Sequence, residues 1–123
     1  MKVLALDYGS ARTGVAVSDP TGTIARPVGV VERAATDAGL ARLKALIAAE
    51  EPERVVVGLP LTLRGERGEQ AEETERFVEQ LRGALDTPVE LFDERFTSVL
   101  ADGDDARAAA HLLTTYLEWS RGR

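Results

Sequence analysis

The chain has 123 residues, 44% of them hydrophobic, which fits one domain over residues 1–123 with a single core. Cysteine is absent, so a disulfide framework and a thiolate metal site are both excluded. A net charge of −6 argues against a surface that coats nucleic acid broadly, although a local cluster of carboxylates holding cations remains compatible with it.

Val3 to Leu6 is a short apolar run that ends at Asp7-Tyr8-Gly9 and reads as a first strand. A polar turn, Ser10 to Thr13, leads into a second strand, Gly14 to Ser18. The turn signal Asp19-Pro20-Thr21-Gly22 then precedes a third, less regular strand from Thr23 to Val31. The period changes after Thr36 and Asp37, where Leu40, Leu43, Leu46 and Ile47 recur at helical spacing until Pro52. Arg54 to Pro60 is a β-branched run of the kind buried on both faces of a sheet, with Gly58 and Pro60 shaping its exit. A polar loop, Thr62 to Gly68, precedes a second helix marked by Ala71, Thr74, Phe77, Val78 and Leu81. Val89 to Phe92 is the fifth strand. The last helix spans about Asp104 to Trp119, with Ala109, Leu112, Leu113, Tyr116 and Leu117 as its stripe. The order βββαβαβα predicts an α/β fold: a mixed five-stranded sheet, opened by a meander and completed by parallel strands behind helical crossovers.

The opening run to Leu6 is too short for a signal peptide, and no stretch approaches the roughly 20 apolar residues that cross a bilayer. A soluble, cytoplasmic protein with no membrane partner is expected.

Ligands of open α/β sheets gather outside the carboxyl ends of the strands. Acidic residues fall there three times: Asp7 after the first strand, Asp93 and Glu94 after the fifth, and Asp104 and Asp105 at the head of the last helix. Hard cations such as Mg²⁺ and Mn²⁺ take oxygen donors of this kind. Two such ions stabilise both the attacking and the leaving oxygen of a phosphodiester displacement. Taken alone, Asp104 and Asp105 read better as helix caps, and Asp93 and Glu94 can be read as solvated loop acids or partners of Arg95. Asp7 resists such a reading, because it closes an apolar strand where an unpaired charge is costly. Beside it, backbone N–H groups of Gly9 and Ser10, together with Arg12, form a polar turn suited to a phosphate, or merely a hairpin. Thirteen arginines against two lysines permit such contacts without pointing to them.

Leu6 to Asp19 resembles the opening motif of the YqgF family, the RuvX-like pre-16S rRNA nucleases. Two further stretches match in order: Val56-Val57-Gly58-Leu59-Pro60-Leu61, with Gly65 after it, and Phe92-Asp93-Glu94-Arg95-Phe96-Thr97-Ser98. Asp105-Ala106-Arg107-Ala108-Ala109-Ala110 looks like the family's closing acid and the small residues after it. The resemblance implies a ribonuclease H-like fold related to the RuvC Holliday junction resolvases, and a role in maturing small-subunit ribosomal RNA. Carried over by position, it implies a catalytic and metal-binding set of Asp7, Glu94 and Asp105, holding Mg²⁺ or Mn²⁺. Gly9, Ser10, Arg12 and Arg95 are then candidates for substrate contact. It further implies nucleic acid as the partner, structured RNA or branched DNA, with the protein a monomer or a homodimer. One departure stands out: family members carry a longer basic segment before the final helix, where this chain has only Val99 to Gly103, without Lys or Arg.

Other features read as structural. The loop Leu63 to Gly68 is either a substrate flap or a solvated loop; Glu69, Glu72, Glu73, Glu75 and Glu79 form a solvated helix face; and His111 points away from Asp105. Three readings follow: a metal-dependent nuclease for precursor rRNA, a nuclease for branched or damaged DNA, and an inactive fold-mate that binds nucleic acid without metal.

Overall fold

The computed structural model describes residues 1–61, 64–93 and 104–122. Five strands form one sheet: β1 (Val3–Asp7), β2 (Arg12–Ser18), β3 (Ala25–Glu32), β4 (Arg54–Leu59) and β5 (Val89–Asp93). Three helices cover it: α1 (Asp37–Glu50), α2 (Glu69–Ala84) and α3 (Asp105–Arg121). The sheet order is β3-β2-β1-β4-β5, with the meander β1-β2-β3 antiparallel and β1-β4-β5 parallel. This is the mixed sheet that the pattern predicts. Arg12 and Thr13, read from the sequence as turn, belong to β2, because pairing with Val31 and Glu32 of β3 extends the strand by two residues.

Strand alternation divides the core into two layers. Leu4 and Leu6 of β1, Val15 and Val17 of β2, and Val55 and Val57 of β4 pack with Leu43 and Ile47 of α1 and with Phe77, Val78 and Leu81 of α2. Val3, Ala5, Ala16 and Val56 face the other way, against Ala109, Leu112, Leu113, Tyr116 and Leu117 of α3. Every strand of the pair β1 and β4 is therefore sandwiched, which explains why their sequences run apolar without a polar alternate. The small side chains Ala5, Ala16 and Ala109 let α3 lie close to the sheet, where each is fully buried.

Capping fixes the helix boundaries. Thr36 accepts the Gly39 N–H through its hydroxyl at 3.1 Å to open α1. The α1 C-cap is Glu51, with φ of 50°, and Pro52 follows. Asp104 opens α3 by accepting the N–H groups of Ala106 and Arg107 at 3.0 and 3.1 Å. Such a cap contributes about 1 kcal/mol. At the far end of α3, Tyr116 donates to Glu90 Oε1 at 2.9 Å and accepts from Arg54 Nη1 at 2.9 Å, tying the helix to β4 and β5. None of the helices among the described residues is long and apolar enough to cross a membrane.

Candidate active site

Alternation along β1 sends Asp7 to the same face as Val3 and Ala5, toward α3. Its register partner on β2 is Gly14. The first turn of α3 rests directly on that glycine: a Cβ there would come 1.8 Å from the carbonyl oxygen of Asp105 and 3.1 Å from the nitrogen of Ala106. No side chain fits in the gap, so glycine is what brings the start of α3 down beside Asp7. Sequence reading passed over Gly14, although an isolated glycine in a strand is the usual sign of a close backbone approach.

The consequence is electrostatic. Asp7 is pushed up to about 6, first by burial and second by the negative charge of Asp105. The two carboxylates therefore feel one another, although 98 positions separate them in the chain. Asp104 does something else: both of its bonds cap α3, while the Asp105 carboxylate is left facing the site. Asp105 Oδ2 accepts from Arg12 Nε at 2.8 Å, with the Arg12 side chain 63% exposed.

The turn from β1 to β2 is tight. A Cβ on Gly9 would lie 2.6 Å from the Arg12 carbonyl oxygen, and the Thr13 hydroxyl donates to the Gly9 carbonyl at 3.5 Å. Ser10 and Arg12 are exposed on this turn. Five of the candidate residues, Asp7, Gly9, Ser10, Arg12 and Asp105, thus converge at one end of the sheet. Glu94 and Arg95 lie outside the described residues. So do Leu63, at the start of the Leu63–Gly68 loop, and residues 96–103 before α3. Asp93 closes β5 in the same alternation as Val89 and Leu91, which pack on the α1 and α2 side, opposite to Asp7. Among the described residues no group of three or more His, Cys, Asp or Glu could hold a metal ion together; the described carboxylates of the site are the pair Asp7 and Asp105.

Tyr8 and Glu73 form a support that the sequence did not reveal. Tyr8 turns away from Asp7, stacks on Phe77 with ring centroids 4.3 Å apart, and donates its hydroxyl to Glu73 at 2.9 Å. Burial and this carboxylate push Tyr8 up to about 12. Glu73 is therefore half-buried and engaged, unlike the solvated face expected of the α2 glutamates. A cleft of about 160 Å³ lies at the opposite end of the sheet, bordered by Met1, Thr21, Arg54, Tyr116 and Arg121. Its Arg54 is paired with Glu90 and Tyr116.

The family described as RuvX: Holliday junction resolvase matches residues 1–119. The chain belongs to the RuvX family. Among RuvX relatives, a protein of Chloroflexus aurantiacus named as a candidate pre-16S rRNA nuclease is 49% identical over 100 residues, covering 81% of this chain and 65% of its own length. A protein of the same name from Sulfurihydrogenibium is 38% identical over 132 residues, 95% of this chain and 90% of its own. The second alignment is longer than the 123 residues available, so that relative carries residues this RuvX member lacks. In fold, the chain is similar to Thermus thermophilus RuvC in complex with Holliday junction substrate, with a TM-score of 0.59 and 20% identity over 99% of this chain and 97% of the other. The ribonuclease H-like architecture implied by the motifs is thus the one found.

Proposed function

We propose that this RuvX member is a divalent-cation-dependent nuclease that hydrolyses phosphodiester bonds in precursor 16S ribosomal RNA. The observation that carries the reading is the convergence of Asp7 and Asp105, one half-buried and the other on the first turn of α3, beside the exposed Arg12. The names of the relatives support the substrate.

The donor chemistry fits Mg²⁺ or Mn²⁺. Both carboxylates offer hard oxygens, and a bound dication would offset the Asp105 charge that, after burial, raises Asp7. When bound, such ions supply Lewis-acid stabilisation to the attacking and leaving oxygens of phosphodiester cleavage. The chain's own residues do the rest. Asp7 and Asp105 would hold the cation, with Glu94 as the third donor that the family motif implies. Arg12 and Arg95 meet the phosphate through their planar forks. Gly9 and Ser10 let the substrate backbone approach the turn, since neither raises a bulky side chain there.

Cleavage of a four-way DNA junction is the second reading, supported by the family description and by the junction held by the RuvC fold relative. One assay separates the two. Labelled precursor rRNA and a four-way junction are incubated with Mn²⁺, Mg²⁺ or chelator, using wild type and Asp7→Asn. Cation-dependent cutting of the RNA that Asp7→Asn abolishes is expected. Preferential cutting of the junction moves the substrate to DNA. A folded wild type that binds either nucleic acid yet cuts neither under any metal overturns catalysis in favour of a binding module.

A further inference from the structure

We propose that Arg12 is a resident counter-cation for Asp105, released to the substrate phosphate when a divalent cation takes its place, so that one side chain couples the two binding events. The inference rests on the reading of Asp7 and Asp105 as cation ligands and adds a role for the ion pair between two of its members.

The Arg12–Asp105 contact has the length of a charge-assisted bond, 2.8 Å from Nε to Oδ2. It joins residues 93 positions apart, one opening β2 and one in the first turn of α3. Among the described residues, Asp105 is the one ion-pair partner of Arg12. Asp105 also sits over Gly14, the register partner of Asp7. The guanidinium therefore sits beside the pair of carboxylates with the sign of charge that a dication would bring. Both cannot neutralise Asp105 together without facing each other as like charges.

The pair is built to be exchanged. The Arg12 side chain is 63% exposed and that of Asp105 33%, and ion pairs this open contribute little stability. A compact dication held by two carboxylates outcompetes a single Nε–H bond. Release leaves the planar fork of Arg12 at the mouth of the site, two residues along β2 from the register partner of Asp7. A phosphate contacting that cation lies within reach of such a fork, and guanidinium binds phosphate with two parallel bonds. A purely structural Arg12 would instead brace Asp105 in position, and its loss would weaken cation binding.

Mn²⁺ titration calorimetry without nucleic acid distinguishes these. Arg12→Ala is expected to bind Mn²⁺ roughly three-fold or more tightly than wild type, the scale of a lost surface ion pair. Arg12→Lys, which keeps the charge, stays near wild type. In a second measurement, fluorescence anisotropy follows a cleavage-resistant phosphorothioate RNA hairpin with and without Mn²⁺. Mn²⁺ should tighten hairpin binding by wild type, and tighten it much less for Arg12→Ala. The salt dependence of the Mn²⁺-loaded complex should fall in Arg12→Ala by about 0.9 in log–log slope, one phosphate contact. Unchanged or weaker Mn²⁺ binding by Arg12→Ala overturns the proposal and leaves Arg12 a brace. Mn²⁺ binding by none of the three proteins removes the cation site itself, and the proposal with it.

Discussion

Gly14 of β2 and Asp105 of α3 meet backbone to backbone, with 1.8 Å between the carbonyl oxygen of Asp105 and the place a Gly14 Cβ would take. This contact seats the helix start over the sheet position paired with Asp7. Gly14→Ala must lift the first turn of α3, since neither partner is a flexible side-chain tip. The expected cost is about 1–3 kcal/mol, the range for overpacking a tight core. Displacement of Asp105 should also lower cleavage at least about tenfold in protein that is still folded. Urea midpoints and cleavage rates check both, and a Gly14→Ala variant with wild-type stability and activity contradicts this packing.

Asp7 makes stability depend on pH in a defined direction. Its ordinary value is 3.8 and its folded value about 6, so between these the folded state holds a proton that the unfolded chain has lost. The fold is favoured on the acid side, and this contribution disappears as pH climbs through 6. Asp7→Asn carries no such penalty. With chelator present it should exceed wild type at pH 8 by roughly 1–3 kcal/mol, with the margin closing below pH 3.8. Urea unfolding at both ends of this window measures it; an Asp7→Asn variant less stable than wild type at pH 8 rules the account out.

The same carboxyl must ionise before it can hold a cation. Mn²⁺ affinity of the wild type should therefore be level above pH 6 and fall about tenfold per unit below it. Calorimetric titrations across this range give the slope. A flat profile would mean that Asp7 does not bind the ion.

The opposite end of the molecule supplies a control. Tyr116→Phe removes the bond to Glu90 and the one from Arg54 while keeping the ring packed against Phe92, 5.3 Å between centroids. A loss of about 1 kcal/mol in stability is expected, with Mn²⁺ affinity and cleavage unchanged. Reduced Mn²⁺ affinity would place the Tyr116 end of α3 in communication with the site.

The fold was legible because its signals are local. Val55 to Val57 and Leu4 to Leu6 are buried on both faces and lack polar alternates, and Leu43 and Ile47 repeat with the period of α1. Asp7 stood out because a carboxylate closing such a strand is conspicuous in sequence alone. The rest of the candidate site depends on encounters between distant segments. That Arg12 reaches Asp105, that Tyr8 reaches Glu73 across 65 positions, and that α3 needs a glycine beneath it depend on where α3 and α2 come to rest on the sheet. No periodicity encodes these. Asp104 and Asp105 illustrate the limit: both are acids at a helix start, and only the hydrogen bonds of Asp104 to Ala106 and Arg107 separate the cap from the residue facing Asp7.

Because α3 lies across β1, β2 and β3, segments far apart in the chain share one layer of the core. During synthesis the meander emerges with Ala5 and Ala16 uncovered and waits through α1, β4, α2 and β5 for its covering helix. Closing so long a loop is slow relative to forming the local hairpins. The approach of Asp105 to Asp7 therefore waits on the docking of α3. A chain that has not yet made α3 carries Asp7 without Asp105 beside it.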